Sequence, residues 1–414
     1  MKIWLILIIT SFQCFQSQAL TLDESLDVAI HAFQLKGDVC KKGGVPGLTS
    51  MASVGKVIFE RPVLSGDKDI SCANCHIDKK ALADGLPLSV GVGGVGEDKQ
   101  RQESGGAVVP RNAFTLFARA DARFTTFFWD GKVKLENNQI YSPIGEGFSM
   151  GFNSALSVAA VLPLLARDEF LGHSGPYDNN RHVELVESQY FQDKVHAQNI
   201  FLQERLNESN DIDVRSLLDA LKSAGLSSKD LTLPVVGNAL ASFISHKTAN
   251  SCEPSRWERY INGDKAVLSQ EQKQGALVFY GKGRCGACHS GDLLSDMKFH
   301  SIGVPQGSQG PHMFGQDLGR AMVTHLTQDR YRFRTPSLVS VSKTSPYGHN
   351  GLFSSLEEVV KYHVSPIFYF RSENIEESMI FRNSEVIASR SDFLRWIRLD
   401  KQEFTVLLAF LETL

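Results

Sequence analysis

Two short stretches carry the clearest chemistry in the chain: SCANCH, with Cys72, Cys75 and His76, and RCGACH, with Cys285, Cys288 and His289. Each sets two thiols three positions apart with an imidazole directly after the second, the C-x-x-C-H signature of c-type haem attachment. The thiols add to the haem vinyl groups, and the neighbouring imidazole is then held where it can ligate the iron. A CxxC pair also serves zinc and redox dithiols. Zinc ribbons pair their CxxC units at short range, whereas these copies lie about 210 residues apart and each carries its own histidine. Two covalently bound haems are the expectation.

The other cysteines are Cys14, Cys40 and Cys252. Cys40 and Cys252 read either as a disulfide tying the N-terminal segment to the approach of the second haem domain or as two separate buried thiols. An oxidising compartment follows from the N-terminus, MKIWLILIITSFQCFQSQAL. Lys2, the apolar run Ile3 to Ile9 and the small-x-small end Ser17-Gln18-Ala19 predict a signal peptide over residues 1–19, too short in its apolar part to span a bilayer. An uncleaved anchor is the alternative. Cys14 follows the large polar Gln13, which argues against lipidation. No other segment approaches ~18 continuous apolar residues, so the mature chain is expected to lack a membrane span and to be periplasmic. With 42% hydrophobic residues and a formal charge of −3, the 414-residue chain has ordinary globular composition and no basic footprint for nucleic acid.

The elements that must position these motifs are mostly helical. Residues 21–36 show acidic residues in a first turn and Leu26, Ala29, Ile30 and Phe33 at helical spacing. From 153 to 250, SALSVAAVLPLLARDEFLG, DVRSLLDALKSAG and LPVVGNALASFISHK each repeat apolar residues near every 3.6 positions. SQEQKQGALVFYG, at 269–281, predicts the helix that delivers the second motif, and DKQEFTVLLAFLETL closes the chain with another. GVGGVG (91–96) matches G-x-G-x-x-G literally, but a polar loop follows it rather than an apolar helix, so a dinucleotide site lacks its context. The expected fold is mainly α with few short strands: an N-terminal haem domain with a helical extension over 20–250 and a C-terminal haem domain over 251–414.

These landmarks resemble the bacterial dihaem cytochrome c peroxidase and MauG family over nearly the whole mature chain. The resemblance rests on LSGDKDISCANCH (64–76), PRNAFTLFARA (110–120), FFWDGK (127–132), DRYRFRTPSLVSVSKTSPYGHNG (329–351) and the closing FLETL, with the two haem motifs in order. It implies two cytochrome c-like domains packed face to face, an N-terminal haem where peroxide reacts, and a C-terminal haem fed by a small c-type cytochrome or cupredoxin. A homodimer is compatible with it. By motif matching, His76 and His289 are the proximal ligands. Trp129 matches a tryptophan between the haems, an electron relay that can equally be a core aromatic. Gln139 and Pro143 match the distal-pocket loop. Asn112, Thr344 and Pro346 match an inter-haem calcium site of hard oxygen ligands. The second axial position of the C-terminal haem is a Met or a Tyr in relatives and falls here on His363, beside Tyr362; a surface histidine is the bland alternative.

The pattern also breaks in two places. Relatives cap the N-terminal iron with a His from the loop after the first motif, and the corresponding loop here, about 77–111, contains none. That implies an N-terminal haem open to peroxide without prior reduction. In SPIGEGFSMG (142–151), the family's distal Glu aligns with Ser149, while the one carboxylate, Glu146, lies three residues earlier. Peroxide cleavage needs a group that takes a proton from one oxygen and returns it to the other. Ser can at most position a water, so Glu146 is the candidate acid/base. Three functions follow: a dihaem peroxidase acting on hydrogen peroxide, a MauG-like oxidase of a protein or organic substrate, or a non-catalytic dihaem electron carrier or sensor.

Overall fold

The structure is a computed structural model that describes residues 20–40, 47–145, 150–172, 183, 191–307, 311, 315–373 and 383–414. The leader expected at 1–19, together with Glu146 and Ser149, lies outside the described residues. Helices dominate: α1 (Leu22–Ala32), α2 (Ser50–Glu60), α3 (Ala155–Val161), α4 (Phe191–Leu206), α5 (Ile212–Ser223), α6 (Leu233–Ser251), α7 (Arg256–Ile261), α8 (Gln270–Tyr280), α9 (Leu356–Val364) and α10 (Lys401–Leu411). Their starts are set locally. Thr21 with Glu24, Ser255 with Glu258, Ser269 with Gln272 and Asp400 with Glu403 form reciprocal capping boxes at α1, α7, α8 and α10, each satisfying backbone donors the helix cannot. The run expected to be helical through 154–172 stays α-helical only over α3. Pro163 follows, and the chain tightens into a 3-10 turn at Leu162–Leu165 before a wider turn at Arg167–Leu171, because proline offers no N–H to the preceding turn.

Strands are short. β1 (Thr126–Phe127), β2 (Val133–Glu136) and β3 (Gln139–Tyr141) form an antiparallel three-stranded sheet in that order, with Phe127 opposite Val133 and Leu135 opposite Ile140. β4 (Phe299–His300) pairs with β5 (Phe333–Arg334).

Two helix crossings anchor two apolar cores. In the first, α2 lies on α6, and Gly55 comes so close that a Cβ there would sit 2.0 Å from the Ala239 carbonyl oxygen; Val54, Ile58, Phe59, Val236, Leu240 and Phe243 pack around the crossing. In the second, α8 lies on α10, and a Cβ on Gly275 would sit 1.9 Å from the Val406 carbonyl oxygen. Trp257, Tyr260, Phe279 and Phe410 pack there through edge-to-face and stacked ring contacts. Backbone cannot yield as a side chain can, so Gly275→Ala is expected to destabilise by at least the ~1–3 kcal/mol of core overpacking. A drop in thermal midpoint with haem content unchanged would show it.

The first core runs from Cys40 to Cys252, with Leu293 and Val339 added, and the second begins at Trp257. Leu26 and Leu35, however, belong to the second core, so α1 packs with the C-terminal half although it precedes the N-terminal one. Cys40 and Cys252 form a disulfide, joining the exit of that crossing segment to the end of α6. Replacing both with serine is expected to cost about 2–5 kcal/mol, read as a lower denaturation midpoint.

The glycine-rich stretch 91–96 has a structural role. The buried Arg101 guanidinium donates to the carbonyls of Val90 (2.8 Å), Gly94 (2.8 Å) and Gly91 (3.1 Å). The loop wraps a side chain rather than a phosphate.

Candidate haem sites and the passage between them

The two attachment motifs fold alike. Cys72–Asn74 and Cys285–Ala287 are single 3-10 turns, and the His76 and His289 N–H groups donate to the Cys72 and Cys285 carbonyls at 3.0 and 2.9 Å. The chain then turns through left-handed residues, Ala81 and Leu82 after the first motif and Leu294 after the second. Each turn brings a carbonyl back to its histidine: His76 Nδ1 lies 2.8 Å from Leu82 O, and His289 Nδ1 lies 2.9 Å from Leu294 O. A carbonyl only accepts, so Nδ1 carries the proton and Nε2 keeps its lone pair. Burial pushes His76 down to about 4, with the nearby Arg119 acting in the same direction and the bond to Leu82 against it. The imidazole is therefore neutral at pH 7, the form a metal needs.

His363 is prepared in the same way. It stands on α9 with Nδ1 2.7 Å from Val359 O, one turn back, and burial pushes it down to about 4. With Cys285, Cys288 and His289 it lines one largely apolar cavity of about 220 Å³. Tyr362 turns the other way. It is fully buried, its hydroxyl donates to the Gly303 carbonyl, and its ring packs on Phe353, Tyr369 and Phe370. Cys288 Sγ, an Asp296 oxygen and a His300 ring nitrogen lie within 4.8 Å of one another, and the Asp296–His300 pair (2.8 Å) marks the edge of this pocket.

The cavity reaches across to the first half through Asn112, Phe114, Arg119 and Trp129. Trp129 is buried, donates from its indole N–H to Asn112 O at 3.0 Å and meets His349 edge-on with centroids 6.5 Å apart. Its loop is clamped to the second half. Arg334 N donates to Trp129 O (2.8 Å), and Arg320 donates to the carbonyls of Asp130 and Gly131 (2.9 and 2.8 Å). Arg111 joins Asp130 (2.6 Å) to Asp317 (2.8 and 2.9 Å). Burial works to raise the Asp317 carboxyl, but the Arg111 bonds outweigh it and hold it below the usual range.

Other expected residues are placed as follows. Asn112 and Thr344 face the same cavity as Pro346. The Asn112 amide N–H donates to Leu86 O (2.8 Å), which leaves its carbonyl oxygen as the atom for a hard cation, and the Thr344 hydroxyl donates to Val341 O (3.2 Å). Gln139 is exposed on β3, its Oε1 accepting from the Tyr141 hydroxyl at 3.0 Å. Sequence reading used PRNAFTLFARA and DRYRFRTP as landmarks and missed that Arg119 and Arg334 within them are buried and Arg111 half-buried. Arginines in otherwise apolar or aromatic runs were the available signal.

The chain is mainly helical, with two alike C-x-x-C-H turns and a buried cavity that reaches from the second into the first half, and residues 49–266 match the di-haem cytochrome c peroxidase family. The chain belongs to that family and is an enzyme of its dihaem oxidoreductase kind. It is 27% identical over 364 residues to the methylamine utilization protein MauG of Methylorubrum extorquens, covering 87% of this chain and 77% of that one. It is 27% identical over 319 residues to the cytochrome c551 peroxidase of Pseudomonas aeruginosa, covering 77% and 72%. Its fold is shared with a crystal structure of a MauG-like protein associated with microbial copper homeostasis, at TM-score 0.58 and 22% identity over 89% of this chain and 90% of that one. Among the described residues, no helix is long and apolar enough to cross a membrane.

Proposed function

We propose that the chain is an exported, periplasmic dihaem c-type peroxidase that reduces hydrogen peroxide with electrons from a small c-type cytochrome or cupredoxin, entering through the C-terminal haem. The observation that carries this reading is the inequality of the two sites. His289 shares its cavity with a second free imidazole, His363, whereas the loop that follows His76 brings no second histidine. Cys72, Cys75, Cys285 and Cys288 would hold two haems, which would supply the redox-active iron. The chain's own part is to orient and exclude. His76, His289 and His363 are each held at Nδ1 by a backbone carbonyl, which leaves Nε2 to hold a haem iron, and Trp129 lines the cavity beside the second site. Glu146 is assigned the proton transfer, with Ser149 confined to positioning water. Asn112, Thr344 and Pro346 offer oxygens for one calcium ion.

Oxidised protein is expected to show one high-spin and one low-spin haem and to turn over peroxide with a reduced cytochrome donor without pre-reduction. Two low-spin haems would remove the open N-terminal site. Ser149 in the place of the family's Glu, together with the likeness to MauG, favours a second reading, oxidation of a protein or organic substrate. It is distinguished by fast reaction with peroxide but poor donor turnover, and no reaction with peroxide leaves an electron carrier or sensor.

A further inference from the structure

Two arginines line the cavity between the candidate haem sites, and among the described residues neither forms an ion pair. Arg119 is 3% exposed and Arg334 1%. Both line the cavity that holds Cys285, Cys288 and His289. Arg119 Nε donates to Thr115 O at 2.9 Å, while its buried Nη1 has no hydrogen-bond partner. Arg334 donates from Nε to Phe128 O (3.1 Å) and from Nη1 to Thr335 O (2.9 Å). The guanidinium carbons stand 4.1 and 5.1 Å from the centroid of the Phe124 ring, and Arg119 also covers Phe114 at 4.6 Å. Among the described residues no carboxylate forms an ion pair with either. Asp130, the acidic group nearest in effect to Arg334, is bonded to Arg111.

Guanidinium stays charged at neutral pH, and burying a charge without a partner is strongly unfavourable. Burial drives Arg119 well down, and the like charge of Arg334 adds to it. Aromatic faces and backbone carbonyls offset only part of this. A fold that pins two such cations with three hydrogen bonds to backbone carbonyls and leaves one buried donor without a partner is built around an anion. The fork geometry of arginine suits a carboxylate.

We propose that Arg119 and Arg334 bind a propionate carboxylate of the haem attached at Cys285 and Cys288, forming the anionic end of that haem's pocket. The inference rests on the dihaem reading above. It also gives the pair a task at the passage: the two positive charges stabilise the reduced form of the nearer haem, and the carboxylate between them is held ionised.

The test is a spectroelectrochemical titration of the purified full-length holoprotein across pH, with haem content measured beside it. Arg119→Gln and Arg334→Gln are each expected to keep two haems, to lower the midpoint potential of the C-terminal haem, and to move the pH dependence of that potential upward as the carboxylate loses its partner. Arg119→Lys and Arg334→Lys keep the charge and are expected to restore most of the potential; they are also the variants read if the glutamine forms do not accumulate. Full haem content with potentials and pH profile unchanged in all variants would overturn the proposal, as would a shift confined to the N-terminal haem. Wild-type protein that carries no covalent haem would instead overturn the dihaem reading on which it rests.

Discussion

Replacing His363 with alanine is expected to convert the C-terminal haem from low spin to high spin and open it to cyanide and carbon monoxide. His363 and His289 line the same cavity, and each has Nδ1 occupied by a backbone carbonyl, Val359 O and Leu294 O. The nitrogen left to each is Nε2. A haem held there would be offered both Nε2 atoms, a pair that would exclude a small ligand and set a lower potential than a thioether ligand would. Without His363 that exclusion would be lost. Tyr362→Phe is the control, because its hydroxyl bonds to Gly303 O on the far side of α9. It is expected to leave the spectrum alone. A Soret band and spin state unchanged in His363→Ala would remove the residue as a ligand.

The second large effect is expected at Arg111. Its guanidinium joins Asp130 and Asp317, whose side chains are 9% and 5% exposed. Arg111→Ala would leave two buried carboxylates facing each other, and breaking a buried pair by removing one member costs about 3–5 kcal/mol. Asp130 adjoins Trp129, so the loss should also loosen the loop in the passage. A fall in urea midpoint well beyond that of exposed ion-pair variants such as Lys79→Ala is the expected result; a change as small as that control's would refute the role.

The same cluster sets an acid dependence. Asp317 lies below the ordinary carboxylate range in the fold, so its contribution is full above the unfolded value of about 3.9 and is lost as pH falls through the depressed folded value. His349, 4.0 Å from Asp317, is pushed by burial down to about 4. The unfolded chain therefore takes up its proton first, near pH 6.5. Both groups act in one direction: wild-type stability should decline as pH drops from about 6.5 toward 4 through His349, and further below about 4 through Asp317. His349→Gln should flatten the upper part of that decline.

Local signals carried far in this chain. The apolar period of α5, α6, α8 and α10 could be read directly, because a helix needs only its own residues to declare its face. The C-x-x-C-H motifs were equally legible, since attachment chemistry is written into adjacent positions. The interruption after α3 was less so: its apolar spacing continues through Pro163, and the period of the side chains says nothing about a missing backbone donor. GVGGVG was rightly set aside as a dinucleotide site, but its partner, Arg101, lies several residues downstream and is invisible to the motif.

The sequence by itself determined that two haem-binding turns exist, that helices deliver them, and which family the chain joins. It also put Tyr362 and His363 side by side as neighbours. Only the tertiary structure decided that His363 faces the cavity, since adjacent helical positions point about 100° apart and packing chooses between them. It likewise placed α1 on the second core, paired Cys40 with Cys252, set Arg111 between Asp130 and Asp317, and brought Arg119 and Arg334 to one cavity. Those outcomes depend on contacts between residues tens to hundreds of positions apart, and no local propensity records them.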